Sequence, residues 1–151
     1  MTFSKTTTYA LRILTLMASD PDKMYTSIGI SESLKIPKKY LQRLLTDLTR
    51  SGIITSIQGR NGGFVLSKKP NKITVASIVE AVEGLKEEVS CFFGFEKCAL
   101  VEPCSMHNVW TETHQNIINL LKKTKLSDLK NQRLVDWFFC LLLLRFGSIL
   151  I

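Results

Sequence analysis

The dipeptide Ile36-Pro37 constrains this chain more than any other pair of neighbours. A proline keeps the residue before it out of helical geometry, and its own fixed φ suits the first turn of a helix that follows. One helix must therefore stop and another start with almost no linker between them. On the near side, Thr26 can cap a short helix running through Leu34, with Ile30 and Leu34 inward at i and i+4. Gly29 weakens that helix by roughly 1 kcal/mol relative to alanine. On the far side, Lys38 to Ser51 set Leu41, Leu44, Leu45 and Leu48 on one apolar stripe, while Lys38, Lys39, Gln42, Arg43, Thr46 and Arg50 fill the polar side. Gly52 can end this helix as a left-handed cap. Two short helices across a tight turn, the second basic on its outer face, form the helix-turn-helix pattern, which any three-helix bundle can also mimic.

The next residues narrow the choice. Ile53-Ile54-Thr55-Ser56-Ile57 and Phe64-Val65-Leu66 read as strands, separated by Gln58-Gly-Arg-Asn-Gly-Gly63. Asn61-Gly62 is a hairpin signal because both residues tolerate positive φ. A hairpin directly after a recognition helix is a wing, and an arginine at its tip, Arg60, suits a narrow electronegative groove. The expected fold class is mainly α with a small β-hairpin wing, an α+β chain. Lys38, Lys39 and Arg43 are the candidate phosphate contacts, Gln42 the candidate base reader, and Gln58 and Arg60 the candidate DNA contacts of the wing. No P-loop or dinucleotide fingerprint competes with this reading.

Charge supports it. The 151 residues carry a net charge of +7, and residues 1–72 hold twelve basic against four acidic side chains while residues 73–151 hold eight against nine. All the basic excess lies in the first half, which points to a polyanionic partner such as a double-stranded DNA operator; a merely solubilising basic face is the alternative.

Around this unit, residues 4–18 place Tyr9, Ile13, Leu16 and Met17 on one helical face, ended by Asp20-Pro21-Asp22. Lys68-Lys69-Pro70-Asn71-Lys72 is a basic turn, after which Thr74 can cap a helix with Val75, Ile78, Val79 and Val82 inward and Gly84 at its end. Residues 85–104 lack a sustained period and read as a loop. From about Ser105, the residues Met106, Val109, Trp110, Thr113, Ile117, Leu120 and Leu121 mark a helix of about five turns, apolar over an arc wide enough to predict a homodimer joined along it, with a single-chain bundle as the alternative. The expected organisation is a DNA-binding unit over 1–72, a linker helix and cysteine loop over 73–104, a dimerisation helix over 105–133, and an apolar tail of open role over 134–151. In that tail Asp136 and Arg145 leave only eight uncharged residues between them, too few to span a bilayer. The first residues have no apolar run or small-residue cleavage site, so a cytoplasmic location is expected.

Three of the four cysteines cluster as Cys91-x6-Cys98-x5-Cys104-x2-His107. Three thiolates and an imidazole are four soft ligands, enough for a tetrahedral zinc or an iron-sulfur cluster. Structural zinc sites favour close C-x(2 to 4)-C knuckles, and no such pair occurs here, so the spacing suits a larger object than one ion. Cys104 and His107 lie at i and i+3 at the start of the long helix, and Phe92, Phe93, Phe95, Ala99 and Leu100 interleave the thiols as a possible apolar shield. Reduced thiols in an ordinary loop remain the alternative. A thiol enzyme is the weakest reading, since no acyl-transfer motif surrounds His107 or His114.

Taken together, Tyr9-Ala10-Leu11-Arg12, Ile36-Pro-Lys-Lys-Tyr-Leu-Gln-Arg-Leu-Leu45, Ser51-Gly-Ile-Ile54, Gly59-Arg-Asn-Gly-Gly-Phe64, Ile73-Thr-Val-Ala-Ser-Ile-Val-Glu-Ala-Val-Glu-Gly84 and Cys104-Ser-Met-His-Asn-Val-Trp110 resemble the Rrf2 superfamily of bacterial winged-helix regulators, over roughly residues 3–130. The likeness is to its cluster-binding IscR-like and NsrR-like members. It implies a homodimeric transcription regulator, no enzyme and no small-molecule substrate, whose operator binding responds to an iron-sulfur cluster reporting cluster status, iron or redox state. Cys104-x2-His107-x2-Trp110 is similar to the IscR subgroup, which implies a [2Fe-2S] cluster on Cys91, Cys98, Cys104 and His107. A [4Fe-4S] cluster is the variant in some NsrR-like proteins, where an aspartate from the partner's first helix is a ligand; Thr8 stands at that position here. A nitric-oxide-sensing repressor on the same ligands and a structural zinc site are the alternative functions. Gln58 and Arg60 stand where the family often has arginine and proline, so a different operator preference is implied.

Overall fold

The computed structural model describes residues 3–60, 62–86, 89, 91–93 and 104–129. The first helix, α1 (Lys5–Ser19), begins where the Ser4 hydroxyl accepts the backbone N–H groups of Thr6 and Thr7 and stops at Asp20. It buries Ala10, Ile13, Leu14, Met17 and Ala18, whereas Tyr9 and Leu16 are only half-buried at the edge of that face. α2 (Ser27–Leu34) starts at Thr26, whose Oγ1 accepts the Gly29 N–H at 3.1 Å.

The turn into α3 (Lys38–Arg50) is built by more than the proline. Lys35 takes the left-handed conformation at φ 53, a place usually given to glycine, and its N–H closes on the Ser31 carbonyl. The carbonyls left open there find donors: Arg12 Nη2 reaches Leu34 at 3.2 Å and Ser31 Oγ reaches Ile36 at 2.8 Å. Ile36 itself is buried. The turn is thus held from α1 as well as from its own residues.

In α3 the four predicted leucines, Leu41, Leu44, Leu45 and Leu48, are all buried. The two strands β1 (Ile54–Ile57) and β2 (Gly63–Leu66) pair antiparallel from Ile54↔Leu66 to Ile57↔Gly63. A third contact fastens this hairpin to the body: Tyr25 and Phe64 exchange N–H···O bonds of 2.9 and 2.8 Å just ahead of α2. The molecule is mostly helical with a two-stranded hairpin, as the residue pattern predicts.

After a 3₁₀ turn at Pro70–Lys72, α4 (Val75–Glu83) starts under a Thr74 cap that accepts the Ser77 N–H at 3.1 Å, and it ends at Gly84. α5 (Ser105–Lys123) is the long helix, and a short α6 (Leu126–Leu129), which the periodicity did not reveal, follows it. Val75 donates to Thr124 at 2.9 Å and Leu126 to Ile73 at 2.8 Å, so the end of α5 returns beside the start of α4. Asp128 accepts the Lys125 N–H at 2.9 Å and the Ser127 hydroxyl at 3.1 Å; these bonds, the backbone one first, hold its carboxyl below the usual carboxylate range.

One core joins α1, α2, α3 and β1 to Ile73, Ile78 and Leu126. A smaller cluster of Val75, Ala76, Val79 and Leu121 packs α4 on α5. The broad apolar arc of α5 divides into two faces. His114, Ile118 and Leu121 are buried, while Val109 and Leu120 are 59% and 61% exposed. Among the described residues no helix is long and apolar enough to cross a membrane, and the tail over 134–151 lies outside them.

Candidate functional site

With its leucine stripe sunk in the core, α3 presents Lys38, Lys39, Gln42 and Arg43 to solvent. Lys39, Gln42 and Arg43 stand at i, i+3 and i+4, so they share one face. No side chain caps the N-terminus of α3, where Pro37 precedes the first turn. The positive end of the helix dipole and Lys38 and Lys39 therefore lie together, an arrangement that favours anions. This face can neutralise phosphates with its cations while Gln42, carrying both a donor and an acceptor, meets a base edge.

Gln58 and Arg60 are exposed at the tip of the hairpin. The physical basis of the tip differs from the expected one. The positive φ falls on Gly59, at 122°, and not on Gly62, while Asn61 lies outside the described residues. Gly62 is needed for a different reason: its N–H binds the Gly59 carbonyl at 2.9 Å, and a Cβ there would run into the Ile57 carbonyl oxygen. The glycines permit close backbone approach, which the residue types signalled, but their roles along the turn could not be read from sequence alone.

Cys91, Cys104 and His107 are half-buried, and both cysteines are free thiols. Cys104 is the N-cap of α5, and its carbonyl accepts the His107 N–H at 2.9 Å, which places the two candidate ligands within one turn. Cys91 is brought to the same helix through its neighbour, since the Phe92 ring meets Trp110 edge-on with centroids 5.4 Å apart. Phe93 in turn packs edge-on against Phe92 at 5.3 Å. Cys98 and the aromatic and apolar residues at 95, 99 and 100 lie outside the described residues. Among the described residues no three His, Cys, Asp or Glu side chains converge on one point. The donor set nevertheless fits an iron-sulfur cluster chemically: thiols and an imidazole, with Cys91 and Cys104 free of any disulfide and the Phe92 and Trp110 rings beside them.

Three residues that link these regions have no role legible in the residue pattern. Thr6 Oγ1 and the Tyr40 hydroxyl share a 2.6 Å hydrogen bond from α1 to α3. Glu83, at the end of α4, accepts the Thr7 N–H at 3.3 Å. A tyrosine beside a leucine stripe is a detectable signal; the threonine and glutamate carry none, because their partners are 34 and 76 residues away.

Helix-turn-helix, hairpin and a basic outer face define a winged-helix DNA-binding regulator. The family model described as "Rrf2: Iron-dependent Transcriptional regulator" matches residues 3–132, and the chain belongs to that family. A relative in Aquifex aeolicus described as an HTH-type transcriptional regulator is 33% identical over 133 residues, 87% of this chain and 92% of the relative. The solved structure of CymR, the global cysteine regulator of B. subtilis, is similar with a TM-score of 0.76 and 25% identity, covering 88% of this chain and 98% of that one. T. potens IscR shares the fold, with a TM-score of 0.67 and 23% identity over 85% of each chain. The relatives are transcription regulators and not enzymes, in keeping with the absence of an acyl-transfer motif in the sequence.

Proposed function

We propose that this regulator binds its operator as a homodimer, through α3 and the hairpin tip, under the control of an iron-sulfur cluster held by Cys91, Cys98, Cys104 and His107. The observation that carries the reading is the Phe92–Trp110 contact, which brings the Cys91 segment to the helix end bearing Cys104 and His107. When bound, a [2Fe-2S] cluster supplies a redox-active and oxidant-labile group, with [4Fe-4S] as the alternative. Everything else is work for the chain's own side chains. Lys38, Lys39 and Arg43 neutralise phosphates, Gln42 meets a base edge, and Gln58 and Arg60 follow the minor groove.

The ligand segment joins α4 to α5, so a cluster bound there can change how the two helices sit. The exposed Val109 and Leu120 support a partner helix along the outer face of α5. Two α3 helices would then meet half-sites about one helical turn, or ~34 Å, apart. Differential stability of the loaded and empty states bounds the change in DNA affinity, typically at about 1–3 kcal/mol. A cytoplasmic location accompanies this role.

The test is a visible absorption spectrum of protein purified without air, followed by operator titrations with loaded and cluster-free protein. Sulfur-to-iron charge-transfer bands and two different affinities are expected. A colourless protein with bound zinc would replace the cluster by a structural metal. Equal affinities with a cluster present would remove the sensing role.

A further inference from the structure

An open groove of 580 Å³ lies where the N-terminal ends of α1 and α3 meet, lined by Lys5, Tyr9, Pro37, Lys39, Tyr40 and Arg43. This lining holds three cations and no carboxylate. Its aromatic part is fixed in place: the Tyr9 and Tyr40 rings meet edge to face at 5.5 Å and 75°. The Tyr40 hydroxyl is tied to Thr6 at 2.6 Å. Apolar rings between ammonium and guanidinium groups match a ligand that alternates apolar and anionic units. A deoxyribose-phosphate strand does so, with sugars to lie on the rings and phosphates to meet the cations.

We propose that this groove is a backbone clamp, holding the DNA strand beside the major groove that α3 enters. Two of its three cations, Lys39 and Arg43, also stand on the exposed face of α3, so the groove continues the surface that reads the operator. Lys5 neutralises one further phosphate from α1. Either hydroxyl can donate in the Thr6–Tyr40 bond; when Thr6 donates, the phenolic O–H is free to donate to a phosphate oxygen. A small aromatic carboxylate shares part of this chemistry, but a small-molecule site normally encloses most of its ligand and this groove is open. The proposal rests on the reading of α3 as the DNA-entering helix, and the experiment separates the two.

The full chain is used to select a duplex from a random pool, and dissociation constants are measured for wild type, Lys5→Gln, Tyr40→Phe and Arg43→Ala. Lys5→Gln is expected to weaken selected and scrambled duplexes alike. It should also reduce the loss of affinity between about 50 and about 200 mM salt by roughly 3.5-fold, the value for one phosphate contact. Tyr40→Phe keeps the ring and should weaken binding without changing the salt dependence. Replacing single phosphates by neutral methylphosphonates should reveal one flanking position that matters to wild type and not to Lys5→Gln. If Lys5→Gln and Tyr40→Phe bind as wild type while Arg43→Ala is weakened, the clamp falls and the role of α3 stands. If no duplex is selected, both fall. Saturable benzoate binding to wild type, lost in Lys5→Gln with DNA affinity unchanged, would give the groove to a small anion and overturn the clamp.

Discussion

The end of this molecule that carries α3 and the end that carries Cys91, Cys104 and His107 are built on opposite principles. Around α3, the side chains of Ile13, Leu14, Met17, Ile30, Leu41, Leu44, Leu45 and Leu48 are almost completely buried, and the polar residues opposite them ride on that packed core. Around the start of α5, Phe92 and Phe93 are 52% and 60% exposed, and the edge-on contact of Phe92 with Trp110 is one that brings the Cys91 segment to the helix bearing Cys104 and His107. A surface that must match a rigid duplex gains from a scaffold that fixes rotamers before binding. Under the cluster-sensing proposal, a segment that responds to a ligand needs two arrangements close in free energy.

The sharpest break between the two ends is predicted for the cysteines. Cys98→Ala or Cys104→Ala should abolish bound iron and sulfide while leaving helix content intact. Iron analysis, absorbance and circular dichroism on the same sample check this. Iron retained at the wild-type level in both variants would show that the thiols are not the ligands. His107→Cys, by contrast, should keep a cluster and change its lifetime in air, because a thiolate replaces the more labile imidazole.

The converse substitution lies in the packed end. Leu48→Ala removes a side chain that is 0% exposed and should cost about 2–5 kcal/mol, read from urea unfolding. A loss below about 1 kcal/mol would mean that the core around α3 relaxes freely and is no more rigid than the start of α5. On the surface of the same helix the effect should be smaller and specific. Gln42→Ala should relax discrimination at a single base pair by about 1–3 kcal/mol and leave scrambled DNA binding unchanged. Uniform weakening across all sequences would make Gln42 a backbone contact.

The packed end was also the legible end. Thr26, Pro37, the four leucines of α3, Gly52, Thr74 and Gly84 act locally, through capping, fixed φ and periodicity, so their spacing alone placed α2, α3 and α4, while the hairpin was legible from its two β-branched and aromatic runs around a glycine-rich turn. Lys35 escaped notice because a left-handed lysine is stabilised by its surroundings, among them the Arg12 bond to Leu34, and not by any preference of its own. The apolar arc of α5 signalled more than one packing face, yet only the fold shows that Ile118 and Leu121 turn inward while Val109 and Leu120 turn out. The candidate ligands were visible as residue types; their approach through Phe92 and Trp110 depends on a tertiary contact that no local pattern encodes. Thr6, Tyr40 and Glu83 belong to the same class of long-range partners.

Glu83 offers the finest test, because it sits where the two ends meet. A carboxylate at the C-terminus of its own helix is unfavourably placed, but here Glu83 of α4 accepts the Thr7 N–H at the N-terminus of α1, where the dipole favours it. Glu83→Gln keeps an acceptor at the same reach and removes only the charge. The expected loss is about 0.3–1 kcal/mol at low salt, at the low end because the residue is exposed, and it should vanish near 1 M salt, where the Debye length is about 3 Å. Urea unfolding of wild type, Glu83→Gln and Glu83→Ala at both salt concentrations separates charge from hydrogen bond. If Glu83→Gln is neutral at low salt while Glu83→Ala is not, the contribution of Glu83 comes from its hydrogen bond and not from its charge. If both are neutral, α4 communicates with α1 through the shared apolar core, and the proposed difference between loaded and cluster-free protein would have to travel by packing.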